Sequence, residues 1–307
     1  MKIEKIGIAG AGLMGTSMAQ IFAKYGYHVM IYDAFPAALE KGRALAQTNQ
    51  QAAVAAGEIT SAQAQAVLDG LFFTNDLSDL TDRDIIIECI VEKLDVKQEF
   101  WSKLSPLMRH DAILTTNTSG LSIHAIAESV VNPSRFLGMH WFNPAHLVPL
   151  VEIICTEDTA PEAAQAVNEL ALAVGKKTTL CRKDVPGFIA NRLQYALLRE
   201  AMWLVENGVA EVEDVDNCMK YGLGFRYAAY GPFEVADFGG LDTFHHIMEY
   251  LNRELCTADT VQTPIDEHYR KGEYGVKTGK GFYDYSGCDP ISERDQKYMA
   301  IYKALYK

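Results

Sequence analysis

Two sets of residues in this chain have types and spacings suited to chemistry. The first is Gly10-Ala11-Gly12-Leu13-Met14-Gly15, which follows an apolar run at residues 6–9 and opens a helical pattern reaching about Tyr25. Asp33 closes a second strand-like run, 18 residues past Gly15. In this context Gly10 permits a tight turn, Gly12 leaves space for a pyrophosphate, and Gly15 lets the helix pack closely on the strand. The helix N-terminus adds free N–H groups and the positive end of its dipole. A carboxylate at Asp33 can accept hydrogen bonds from both ribose hydroxyls. The extra phosphate of NADP, roughly 4 Å away, would be repelled by about 4 kcal/mol at an effective dielectric near 20. Ala34, Phe35 and Pro36 supply no cation to relieve that repulsion. NAD is therefore the expected cofactor, and capping of the next helix by Asp33 is compatible with the same role.

The second set comprises Asn117-Thr118-Ser119, the stretch Gly138-Met139-His140-Trp141-Phe142-Asn143-Pro144, and Val151-Glu152-Ile153. Ser119 and His140 fall at the carboxyl ends of strand-like runs, where open α/β sheets bind ligands. An imidazole can hold or give a proton near neutral pH, and a carboxylate on its other nitrogen fixes the tautomer and stabilises the imidazolium. Glu152, inside an apolar run, requires a partner if it is buried. Ser119 also has a plain reading as the N-cap of the next helix, with Asn117 closing the turn. His140 and His146 do not make a metal pair, because the chain has no H-E-x-x-H and no third ligand at matching spacing.

These residues need a sheet to carry them. Short apolar runs at residues 6–9, 29–32, 85–88, 113–116, 136–139, 151–154 and 178–180 alternate with helical patterns, such as Val96, Phe100, Leu104 and Leu107. That alternation predicts an α/β, Rossmann-type, mostly parallel doubly wound sheet with strands buried on both faces. An Ala/Gln-rich stretch from Ala44 to Asp82, broken at Gly57, predicts a helical arm at about 44–70, inserted after the second strand. After Pro186-Gly187 the pattern turns helical (Ile189, Leu193, Ala196, Leu197, Ala201, Leu204). The expected division is a nucleotide-binding domain at 1–185 and an all-α C-terminal domain at 186–307.

The chain has 307 residues, 28 Lys plus Arg against 40 Asp plus Glu, and a net charge of −12. This balance disfavours nucleic acid and anionic lipid as general partners. Six scattered cysteines without a C-x-x-C pair read as reduced thiols. With no leader pattern and no run of about 20 apolar residues, a cytoplasmic location is expected.

The motifs GAGLMG, IVEKLDVK from Ile90, NTSGLSI from Asn117, GMHWFNP from Gly138, PLVEII from Pro149, DVPGFIANRL from Asp184 and KTGKGFYDY from Lys277 run nearly end to end. Together they resemble the L-3-hydroxyacyl-CoA dehydrogenase family, which includes the 3-hydroxybutyryl-CoA dehydrogenases. The resemblance implies that His140 is the general base and Glu152 its partner. It implies that Ser119 and Asn191 hydrogen-bond the reacting oxygen, and that Glu92, Lys97, Asn117, Ser119, Asn143 and Lys277 line the cofactor site beside Gly10 to Gly15 and Asp33. It also implies a homodimer, as do the apolar helices of the second domain.

Two stretches depart from the pattern. The 39 residues from Ala44 to Asp82 contain no Lys or Arg and five acids, whereas members that use coenzyme A commonly place cations there. Lys24, Lys41 and Arg43 are the remaining candidates for the adenosine phosphates. The stretch Gly224-Phe225-Arg226-Tyr227-Ala228 is similar to relatives that act on free hydroxy acids, where Arg226 would clamp a carboxylate bidentately. The expected substrate is thus a 3-hydroxyacyl-CoA, with a free 3-hydroxy acid as the alternative.

Overall fold

In the computed structural model, which describes residues 2–306, a strand–helix–strand unit opens the chain: β1 (Lys5–Ala9), α1 (Leu13–Lys24) and β2 (His28–Tyr32). Next come α2 (Pro36–Ala55), α3 (Ser61–Asp69), β3 (Leu71–Thr74), β4 (Ile85–Glu88), α4 (Leu94–Leu104), β5 (Ile113–Thr116) and α5 (Ile123–Ala127). β6 (Phe136–Trp141), β7 (Leu150–Ile154), α6 (Pro161–Ala173) and β8 (Lys177–Cys181) complete the sheet. The remainder is helical: α7 (Ala190–Glu206), α8 (Val212–Cys218), α9 (Gly224–Tyr227), α10 (Pro232–Gly239), α11 (Leu241–Leu251), α12 (Thr263–Arg270) and α13 (Pro290–Tyr306).

The eight strands lie in the order β3-β2-β1-β4-β5-β6-β7-β8, and every neighbouring pair is parallel except β6 and β7. Helices cover both faces, so the central strands are apolar on both sides: Ile85 and Ile87 enter one core, Ile86 the other. β3, which directly follows the expected arm at 44–70, is not among the strands that the sequence predicts. Leu71-Phe72-Phe73-Thr74 is short and pairs only with β2 at the sheet edge, where one residue in four is buried. An edge of this kind leaves little apolar pattern to read.

The arm itself is α2 and α3, joined around Gly57, whose φ of 70° suits glycine. It starts earlier than residue 44, because Pro36 sets the first turn of α2. Leu39, Gly42 and Ala46 bury its inner face, and a Cβ on Gly42 would come within 2.9 Å of the Ala11 carbonyl. The base of the arm therefore packs directly on the glycine loop. In α4 the buried stripe is Lys97, Trp101 and Leu104, one residue on from the Val96/Phe100 pattern, and Leu107 is exposed. A charged residue belongs to the inner face there because a carboxylate awaits it.

The chain divides into two compact units after Asn191. Residues 186–191 stay with the sheet because the N–H groups of Ile189 and Ala190 are bound to Glu152. In the helical unit Met202 and Cys256 are the buried apolar residues among those described, while Leu193, Leu197, Phe225, Phe233 and Leu241 are all exposed.

Candidate active site

The glycine loop has the shape its spacing predicts. Gly10 sits at φ 113°, and a Cβ there would meet the Cys89 carbonyl at 2.7 Å. One on Gly15 would strike the Gly10 carbonyl, since α1 lies hard against the loop. One on Gly12 would meet nothing within 4 Å. Tight packing behind the loop and open space in front of it make a cradle that a phosphate pair fits. Gly12 is also the N-cap of α1 and brings no side chain to its first turn, where Leu13 and Met14 begin the helix. Asp33 accepts hydrogen bonds from the N–H of Ala11 at 2.9 Å and of Phe35 at 3.0 Å, one on each carboxylate oxygen. It ties the glycine loop to the end of β2 and keeps lone pairs for ribose hydroxyls.

His140 and Glu152 face each other across the antiparallel β6–β7 pair. Their neighbours Met139, Trp141, Val151 and Ile153 all enter one core, so the two polar side chains share the opposite face. His140 Nδ1 lies 2.8 Å from Glu152 Oε2, with His140 3% and Glu152 0% exposed. The other carboxylate oxygen accepts from Ile189 N–H at 3.1 Å and Ala190 N–H at 2.9 Å. Burial alone would raise the Glu152 carboxyl, but the His140 bond and the two N–H donors hold it below its ordinary value. The buried anion leaves Nδ1 as the donor and Nε2 as the site for a proton in transit. Nε2 has no partner among the described residues. Phe142 and Phe188 wall the imidazole, with ring centroids at 4.5 and 5.7 Å. Phe188 holds φ 51°, a strained value for a bulky residue, directly after Gly187 at φ 79°. That turn sets the Phe188 ring beside His140 as the following N–H groups reach Glu152.

The loop after β5 completes the cluster. Asn117 is committed to structure: its N–H donates to the Glu88 carbonyl at 2.6 Å and its Oδ1 accepts from Trp141 N–H at 2.7 Å. Ser119 does not cap a helix, since Ser122 caps α5. Its N–H donates to Glu92, its carbonyl accepts from Asn191 Nδ2 at 2.8 Å, and its residue is exposed. Ser119 and Asn191 are thus brought together. Glu92 also accepts the Thr118 hydroxyl. Burial would raise Glu92, but Thr118, Lys97 and the Ser119 N–H bring it below the usual carboxylate range.

Lys97 is 1% exposed, 2.6 Å from Glu88 and 3.3 Å from Glu92, so the outward member of this group is Glu92. Asn143 is exposed beyond β6. Arg226, on α9, and Lys277, in the turn after Gly275, are exposed residues of the helical unit. Arg43 is engaged at the sheet edge, over the Phe73 ring at 4.3 Å and near Glu40, whereas Lys24 and Lys41 are exposed. Sequence reasoning missed Glu88, Thr118 and Phe188. An acid closing the run Ile85-Ile86-Ile87 and a Pro-Gly pair ahead of Phe188 were the available signals.

A doubly wound sheet with a dinucleotide cradle at one crossover and a buried imidazole–carboxylate pair beyond it defines an NAD-dependent oxidoreductase. Residues 5–185 match the NAD binding domain of 3-hydroxyacyl-CoA dehydrogenase, and residues 187–285 match its C-terminal domain. The chain belongs to the 3-hydroxyacyl-CoA dehydrogenase family. It is 34% identical to a 5-formyl-3-hydroxy-2-methylpyridine 4-carboxylate 5-dehydrogenase of Mesorhizobium japonicum, over 99% of this chain and 98% of that one. It is 37% identical to a probable 3-hydroxybutyryl-CoA dehydrogenase of Deinococcus radiodurans, over 92% of this chain and all of that one. A crystal structure of a dehydrogenase of the first kind, described as an NAD+-dependent dismutase, superposes with a TM-score of 0.87 at 33% identity, covering 99% of this chain and 98% of that one. An (S)-3-hydroxybutyryl-CoA dehydrogenase from Ralstonia eutropha gives 0.78 at 33% identity, covering 93% of this chain and all of that one. No helix among the described residues is long and apolar enough to cross a membrane.

Proposed function

We propose that the protein oxidises the hydroxyl of an (S)-3-hydroxyacyl-CoA to the 3-oxo thioester, or runs the reverse reduction, with His140 as general base and acid. The 2.8 Å contact between His140 Nδ1 and Glu152 carries this reading. When bound, NAD would supply the hydride acceptor or donor, and Gly10 to Gly15, Asp33, Glu92 and Asn143 are the residues that would hold it. His140 Nε2 takes the hydroxyl proton as the carbon is oxidised and returns it in reduction, while Glu152 stabilises the imidazolium. Ser119 and Asn191 bind the reacting oxygen. The exposed apolar helices of the second unit support a homodimer, and six free cysteines support a reducing, cytoplasmic compartment.

A second reading, a free hydroxy acid held by Arg226, has its own support. The stretch from Ala44 to Asp82 contains no Lys or Arg, which leaves Lys41 and Arg43 near the start of the arm as its cations, and the relative that aligns over 99% of this chain is named for a pyridine carboxylate. Acetoacetyl-CoA and acetoacetate assayed side by side with NADH separate the two. Faster turnover of the thioester is the expected result. Faster turnover of the free acid, with KM raised about tenfold or more by Arg226→Ala, establishes the second reading.

A further inference from the structure

Glu88 is a carboxylate with no access to solvent, at the carboxyl end of β4, in register with Ala9 of β1 and Thr116 of β5. Both of its carboxylate oxygens are hydrogen-bonded. Oε1 accepts from Lys97 Nζ at 2.6 Å and Ile90 N–H at 2.9 Å, and Oε2 accepts from the Thr116 hydroxyl at 2.7 Å. Its main-chain carbonyl accepts from Asn117 N–H. Lys97, equally buried, reaches on to Glu92, which receives the Thr118 hydroxyl and the Ser119 N–H. A continuous line of charged contacts therefore runs from a residue sealed inside the sheet to the loop that presents Ser119.

Burying an ion pair seldom adds stability; well-packed apolar residues of the same volume often do as well or better. Two carboxylates sharing one ammonium is a further departure from what stability alone would select. What the arrangement does provide is position. Glu88 holds the ammonium, and the ammonium holds Glu92 where it can receive both donors of the loop. We infer that Glu88 is a positioning residue for the cofactor and substrate site, acting through Lys97 and Glu92 on the Thr118–Ser119 loop. The inference rests on the role proposed above for Ser119 and Glu92.

Glu88→Gln keeps the shape and the bonds to Ile90 and Thr116 but removes the charge that anchors Lys97. Lys97 then shifts toward Glu92 and draws it off the loop. NADH binding, followed by fluorescence, is expected to weaken about tenfold. The double variant Glu88→Gln/Lys97→Met, which leaves no unpaired buried ammonium, is expected to regain thermal stability but not NADH affinity. Unchanged affinity in the single variant overturns the inference. So does recovery of affinity together with stability in the double variant, since that pattern marks a purely structural pair. If the single variant does not fold, the double variant decides. NADH binding needs no turnover, so an incorrect substrate or proton-transfer assignment leaves this test standing.

Discussion

The fold holds two buried acid–base pairs near the carboxyl edge of one sheet, and they are built for opposite ends. His140–Glu152 joins an imidazole, with Nε2 left for proton exchange, to a carboxylate clamped by two N–H groups from the chain after Gly187. Lys97–Glu88 joins two groups whose polar atoms are held by fixed partners, and it delivers one contact outward through Glu92. In the proposed reaction the first pair exchanges a proton without disturbing the backbone around it. The second fixes a loop. Burial alone therefore says little about function; what matters is whether one partner is free to exchange a proton and has an unbonded atom from which to do it.

The largest break in this comparison comes from His140→Gln, which should lower kcat by about 10²- to 10⁴-fold. NADH affinity should stay unchanged in the fluorescence titration, and a variant with full turnover would remove His140 from the mechanism. Glu152→Gln is expected to reduce kcat about 100-fold, near the lower end of the same range, by loosening the tautomer. The same substitution tests stability against pH. The folded Glu152 carboxyl lies below its ordinary 4.5, so its stabilising contribution is present above about pH 4.5 and is lost as pH falls through the lowered value. Denaturation at pH 7 and pH 4 should show a smaller acid loss in Glu152→Gln than in the unsubstituted protein.

The finest test uses a third buried charge that has no carboxylate at all. Lys176, 7% exposed, donates to the carbonyls of Ala145 at 2.6 Å and Val148 at 2.7 Å, and burial lowers its ammonium from 10.5 to about 8. Between those values the unfolded chain holds the extra proton, so stability should rise with pH across the window, by at most about 3 kcal/mol. Lys176→Met should flatten that rise in denaturant titrations from pH 8 to 10. An identical slope in both proteins would show that the ammonium is solvated.

Much of this site was legible in the sequence because its signals are local. The glycine spacing, Asp33, and the order of Ser119, His140 and Glu152 each follow from a strand end and the few residues after it. The unread parts depend on distant neighbours. Lys97 lies buried against Glu88, a partner nine residues away on β4, and its burial puts Lys97 and Trp101 on the inner face of α4 in place of Val96 and Phe100. The side-chain oxygen of Asn117 accepts from Trp141 N–H, 24 residues away, a contact that no local pattern signals. Nothing near Glu152 in the chain announces that its second oxygen is held by Ile189 and Ala190, 37 and 38 residues away. β3 was missed for a different reason: a four-residue edge strand has almost no alternation to display.

The one antiparallel step in the sheet has a consequence of its own. Because His140 and Glu152 are directly opposite on adjoining strands, only 12 residues apart, the pair proposed to handle the proton sits on a hairpin. The loop at its tip could lengthen or shorten without separating them. A slip of either strand by a single residue would instead swing the glutamate to the far side of the sheet and leave the imidazole unsupported. The pairing itself thus tolerates no intermediate forms.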